Sequence, residues 1–310
     1  MWIGLILEVK LFRRKAALIW CFIFGIATLS ALWAGCSSGG STGLETDAAV
    51  FTQSASATIG ASTPAPAEGQ RGGPDAPAPA ASIEPAAGSY ALIYNGPVAA
   101  SGSTEALADV AAQAGLPVQY VSNIEDLQRL LPDAKVFIIG GTQDDLSPLV
   151  AAFTPAATAA LKDYLQNGGR YLGICGGGYM ASSGWTEDGK SFASLGIIPA
   201  GSGSYLGQPE PQILPINWLG QTHQMYYQDG PVFYLKPGAE DVRIIAQYAN
   251  GQVAAFLSAY GRGKVAVSGP HPEARQTWVY GEPNADSWTP STPLAVDLLK
   301  ELLSGKPINQ

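Results

Sequence analysis

Arg170-Tyr-Leu-Gly-Ile-Cys175-Gly-Gly-Gly-Tyr-Met180 is an apolar run that ends on a cysteine and breaks into glycines. Residues 170–174 read as a buried strand, and the glycines after Cys175 as a sharp turn into a helix. Gly173-Ile174-Cys175-Gly176-Gly177 fits the G-x-nucleophile-x-G elbow, in which flanking glycines relieve the crowding around a strained nucleophile. A helix N-terminus beside the sulfur would stabilise a thiolate, and its N–H groups, beginning with Gly176, would hold an oxyanion. The competing reading is a small buried cysteine at a strand end.

Upstream, strand-like and helix-like segments alternate. Tyr90–Tyr94 is an apolar run closed by Asn95-Gly96, and Ser103 opens a helical stretch that ends at Gly115. Val118–Val121 is the next strand, and Asn123–Leu131 has helical spacing behind an Asn cap. Lys135–Ile139 reads as a strand running into Gly140-Gly141, and Thr154-Pro155 starts a helix that closes at Gly168-Gly169. This alternation predicts an α/β fold with a mostly parallel, doubly wound sheet, flavodoxin-like and covered on both faces. The second half carries short strand candidates (212–216, 225–227, 232–235, 242–246, 253–257, 264–267), several joined by Asp-Gly, Asn-Gly or Gly-Arg-Gly turns. These predict an antiparallel extension, closed by a helix over 293–303.

There are two histidines. His271 lies in Ser268-Gly-Pro-His271-Pro-Glu273, just after a strand and two residues before a carboxylate. Glu273 can then accept from one imidazole nitrogen and leave the other to face a thiol. A plain surface turn is the alternative for this segment. His223 has no carboxylate near it in sequence and reads as a loop or substrate-contacting residue.

The elbow Gly173–Gly178 and the late His-Pro-Glu together resemble the class I glutamine amidotransferase-like superfamily. More narrowly, the Ala91–Gly96 opening, the Asn167–Ser182 block and the Ser268–Glu273 block resemble the biotin–protein ligase N-terminal domain, over about residues 88–280. The resemblance implies Cys175 as nucleophile, His271 as base and Glu273 as its orienter. It also implies Gly141 as an oxyanion-loop residue beside Gly176. Gly178-Tyr179-Met180 stands where glutaminase domains usually carry Gln or His, which argues against glutamine itself as substrate.

The N-terminus carries a different message. Lys10, Arg13, Arg14 and Lys15 precede an uncharged run over residues 16–35, followed by Leu32-Trp-Ala-Gly-Cys36. This reads as a signal sequence with a lipobox and Cys36 as the lipidated residue, or as an uncleaved membrane anchor, or as a buried helix. The first two readings place the rest outside the cytoplasm. Residues 37–87, rich in Ala, Pro, Ser and Gly, read as a disordered linker, and 88–310 as the folded domain.

Seventeen basic against 25 acidic residues, net −8, argue against a nucleic-acid partner. No metal or other cofactor is called for; Asp144-Asp145 reads as a capping turn. The expected partners are a membrane and a small-molecule or peptide substrate. The leading functional reading is an envelope cysteine hydrolase that cleaves an amide or acyl bond through a thioester. A non-catalytic binding module and a glutamine amidotransferase subunit with a separate partner are the alternatives.

Overall fold

The computed structural model describes residues 87–187 and 189–309. The linker and anchor expectations over 1–36 and most of 37–87, Cys36 included, fall outside the described residues.

In chain order the strands and helices are β1 (Tyr90–Tyr94), α1 (Ser101–Gln113), β2 (Val118–Val121), α2 (Leu127–Leu130), β3 (Ala134–Ile139), α3 (Ser147–Ala152), α4 (Pro155–Gln166), β4 (Arg170–Ile174) and α5 (Gly176–Ala181). Then come β5 (Gly184–Glu187), β6 (Lys190–Ala193), β7 (Ala200–Ser204), β8 (Gln212–Trp218), β9 (Gln221–Tyr227), β10 (Pro231–Leu235) and β11 (Val242–Tyr248). The chain closes with β12 (Val253–Tyr260), β13 (Gly263–Ser268), α6 (Gln276–Val279) and α7 (Thr292–Leu303).

The main sheet runs β2-β1-β3-β4-β13-β12-β11-β8-β9. Its first five strands are all parallel, with Ile138 opposite Leu172 and Leu172 opposite Ala266. That is the 2-1-3-4-5 order of flavodoxin-like sheets. From β13 onward every pairing is antiparallel, and β10 branches off β12 to pair with β7. The predicted parallel core with an antiparallel extension is the observed architecture.

Alternate strand residues feed two cores, as the pleat requires. Ala91, Ile93, Val136, Ile138, Leu172 and Ile174 face α1 and α7, through Leu107, Val110, Leu299 and Leu302. Leu92, Phe137, Ile139, Tyr171 and Val265 face α2 and α4, through Leu127, Leu161 and Leu165. Each such side chain buried contributes roughly 1.5–3 kcal/mol, so both faces are needed to hold a parallel sheet.

The structure corrects three local expectations. Asn123 does cap, with its side chain accepting from the Glu125 N–H, but it starts a 3-10 turn (Ile124–Asp126). The α-helix is only Leu127–Leu130, because Pro132 cannot continue it. His223 lies within β9 opposite Ile216, not in a loop. A hairpin, β5–β6, and strand β7 appear where no strand was expected. Asp145 Oδ1 accepts from the Ser147 N–H at 2.8 Å, a local turn just ahead of α3, whose N-cap position is Leu146 and carries no side-chain cap.

Candidate active site

Cys175 sits between β4 and α5 with φ 51° and ψ −108°, a conformation that a non-glycine residue adopts only under strain. The surrounding backbone over-determines it. The Cys175 N–H donates to the Ser268 carbonyl at 2.8 Å, and the Gly178 and Tyr179 N–H groups both donate to the Cys175 carbonyl. The elbow also requires close backbone approach. A Cβ on Gly177 would meet the Ile139 carbonyl oxygen at 2.0 Å, and one on Gly173 would meet the Gly177 oxygen at 2.4 Å. Both glycines of the motif are therefore dictated by packing of the turn onto β3 and β4.

His271 follows the end of β13. Its N–H donates to the Tyr226 carbonyl at 2.9 Å, which pins the His-Pro-Glu turn to β9. The imidazole is buried, with the Tyr226 and Trp278 rings packed at 5.6 and 5.7 Å, both near-perpendicular. On another side lies Gly141, where a Cβ would come 2.8 Å from His271 Cε1. His271 Nδ1 bonds Glu273 Oε1 at 2.9 Å, which leaves Nε2 as the ring nitrogen free to interact with the Cys175 sulfur. The Cys175 Sγ lies 3.5 Å from the Gln228 carbonyl oxygen as well.

Burial alone would pull the imidazole's pKa down. The Glu273 carboxylate, Cys175 and the hydrogen bonds to both outweigh burial, and the His271 pKa is raised to about 10. The Glu273 carboxylate thus favours the charged form of the ring.

A cavity of about 550 Å³ opens over the sulfur. Cys175, Gly176, Gly141, Thr142, His271 and Trp278 line it, as do Trp185 and Tyr179. Asp144, Glu187 and Asp229 bring three carboxylates to the rim, with no Lys or Arg among the described lining residues. Desolvation raises the Asp229 pKa, a hydrogen bond from Ser204 opposes this, and Glu187 and Asp144 raise it further.

Residues 105–203 are similar to a glutamine amidotransferase domain. They match the family model described as the CobB/CobQ-like glutamine amidotransferase domain, over about a third of the chain. The matched stretch holds Gly141, Cys175 and Gly176 but ends before His271 and Glu273. No curated protein matches the chain. Among solved structures, a glutamine amidotransferase is 16% identical with a TM-score of 0.47, covering 67% of this chain and 97% of its own. A glutamine amidotransferase from Thermotoga maritima is 13% identical with a TM-score of 0.47, covering 69% and 96%. The strand order described above, rather than these likenesses, defines the fold.

The amidotransferase-like segment and the folded site bring four of the expected residues together: Cys175, His271, Glu273 and Gly176. Gly141 needs a correction. It lines the cavity, but its N–H is already engaged, donating to Ser103 Oγ at 2.8 Å, so it is not free to meet an oxyanion. The Gly176 N–H, first in its helix, has no intrahelical acceptor and remains the candidate donor. Trp185 lines the cavity, whereas Tyr205 stacks on Tyr248 and Trp218 and Tyr227 are buried in the core. Sequence reasoning did not find Ser103 as a site residue; a serine in the first turn of a helix reads as an ordinary helix-start residue.

Proposed function

We propose that the protein is a cysteine hydrolase that cleaves an amide or acyl bond through a Cys175 thioester. The observation that carries this reading is the strained, cavity-lining Cys175 beside a buried His271 that Glu273 backs from the other side. In the reaction Cys175 Sγ attacks the substrate carbonyl carbon and a C–S bond forms. The Gly176 N–H stabilises the oxyanion that results. His271 Nε2 delivers its proton to the leaving amine or alcohol as the C–N or C–O bond breaks. Water then attacks the thioester, His271 takes its proton, and the thiolate is released with the acid. The acidic rim favours a neutral or positively charged substrate over an anionic one.

The test uses p-nitrophenyl acetate, an activated acyl donor. The wild-type protein is expected to release a stoichiometric burst of p-nitrophenolate and gain one acetyl group on Cys175 by peptide mass spectrometry. Cys175→Ser and His271→Ala are expected to lose the burst. An acetyl group found only on lysines would contradict the reading.

The match to an amidotransferase domain favours a second reading, glutamine hydrolysis, within this same mechanism. Ammonia release from glutamine, abolished in Cys175→Ser, would support it. The narrower kinship with the biotin–protein ligase N-terminal domain, the domain limits 88–310 and export to the cell envelope through Cys36 or an N-terminal helix are proposals that rest on the sequence motifs alone.

A further inference from the structure

We propose that Ser103 is a positioning residue of this site, holding the Glu273 carboxylate toward His271 and tying it to the Gly140–Gly141 loop; the proposal rests on the cysteine-nucleophile reading above. Ser103 is 2% exposed and projects from the first turn of α1. Its Oγ donates to Glu273 Oε1 at 2.8 Å and accepts from the Gly141 N–H at 2.8 Å. A serine hydroxyl has one proton, so with a carboxylate on one side and an N–H on the other both bond directions are determined. The neighbouring Thr104 bonds back to the Ala100 carbonyl of its own helix start, whereas the Ser103 hydroxyl bonds across to two other segments.

The carboxylate depends on this bond. Glu273 is 1% exposed, and its Oε2 makes no hydrogen bond. Oε1 receives both donors, the Ser103 hydroxyl and His271 Nδ1. A buried carboxylate with so few donors is poorly compensated for the water it has lost. Without the hydroxyl it keeps His271 alone, is free to rotate, and supports the imidazolium less well. The second bond fixes Gly141, whose backbone forms the wall against His271 Cε1. One hydroxyl thereby sets both the group behind the imidazole and the surface beside it. Cys175 and Tyr226 also face the pair, Glu282 acts on Tyr226, and Glu105 and Asp109 of α1 are exposed and paired with Arg275.

The experiment measures iodoacetamide alkylation of Cys175 in the full chain against pH, by peptide mass spectrometry. Ser103→Ala is expected to move the midpoint of the profile up, because the carboxylate that loses the bond supports the imidazolium less well. Ser103→Thr, which keeps the hydroxyl, is expected to retain the wild-type midpoint. In a Glu273→Gln background Ser103→Ala is expected to add no further shift. A lower Tm with an unmoved midpoint would show a merely structural role and overturn the proposal. If His271→Ala also leaves the wild-type profile unchanged, the cysteine-nucleophile reading itself fails and the role of Ser103 with it. The wild-type protein supplies a check that needs no variant: a slowly exchanging Ser103 hydroxyl proton in NMR supports the bond, and a freely exchanging one overturns it.

Discussion

Cys175 and His271 show how much of the site is set by single residues. Their motifs, a glycine-flanked cysteine and His-Pro-Glu, are legible because each needs particular residue types in a short window. Ser103 was not legible, because its two partners lie 38 and 170 residues away and come together only through the fold. Two predictions belong at this scale. Gly177→Ala would drive a Cβ into the Ile139 carbonyl and is expected to cost about 1–3 kcal/mol by denaturant unfolding, with Cys175 labelling also disturbed. His271, with its pKa raised from 6.5 to about 10, gives stability that is fully present below pH 6.5 and is lost as pH rises through about 10. Wild-type stability is therefore expected to fall across that window, and His271→Ala to flatten this part of the curve.

Among elements, the parallel strands were readable because they are continuous apolar runs, and the helices between them because they carry apolar spacing and clear stops. Strand β7, with the sequence AGSGS, has no apolar run to announce it; pairing with β10 makes it a strand. The β5–β6 hairpin is held by its own cross-strand stack of Trp185 on Phe192 at 5.1 Å and by Trp185 tilted against Tyr179 of α5 at 5.5 Å. Two buried cations, Arg170 and Lys264, open adjacent strands where a sequence pattern calls for apolar residues. They serve the end of α7. Arg170 Nε donates to the Leu302 carbonyl at 2.8 Å and Lys264 Nζ to Ser304 Oγ at 3.2 Å, meeting the negative end of the helix dipole. Arg170 also donates to the Gly168 and Gly169 carbonyls. Arg170→Ala strands these acceptors and is expected to cost at least about 3 kcal/mol, with α7 the first segment to lose amide-exchange protection.

For the whole molecule, the sheet order explains why the site forms at all. Strands β4 and β13 are adjacent and parallel although nearly ninety residues separate them, and their ends present Cys175 and His271 side by side. The antiparallel segment inserted between them supplies Tyr226 of β9 and Gln228 just after it, which contact that pair. Among the described residues no helix is long and apolar enough to cross a membrane. The proposed anchor therefore rests on the N-terminal sequence, and lipid labelling tests it. A labelled fatty acid is expected on Cys36 in the membrane fraction and absent in Cys36→Ala, whereas unchanged membrane retention without label would favour the uncleaved helix. The most direct measurement of the central claim is the rate of iodoacetamide labelling at Cys175 at pH 6, in the full chain and in its His271→Ala variant. Rapid labelling that slows at least about tenfold in the variant is the result expected of a thiolate paired with imidazolium. Equally slow labelling in both proteins would contradict the account.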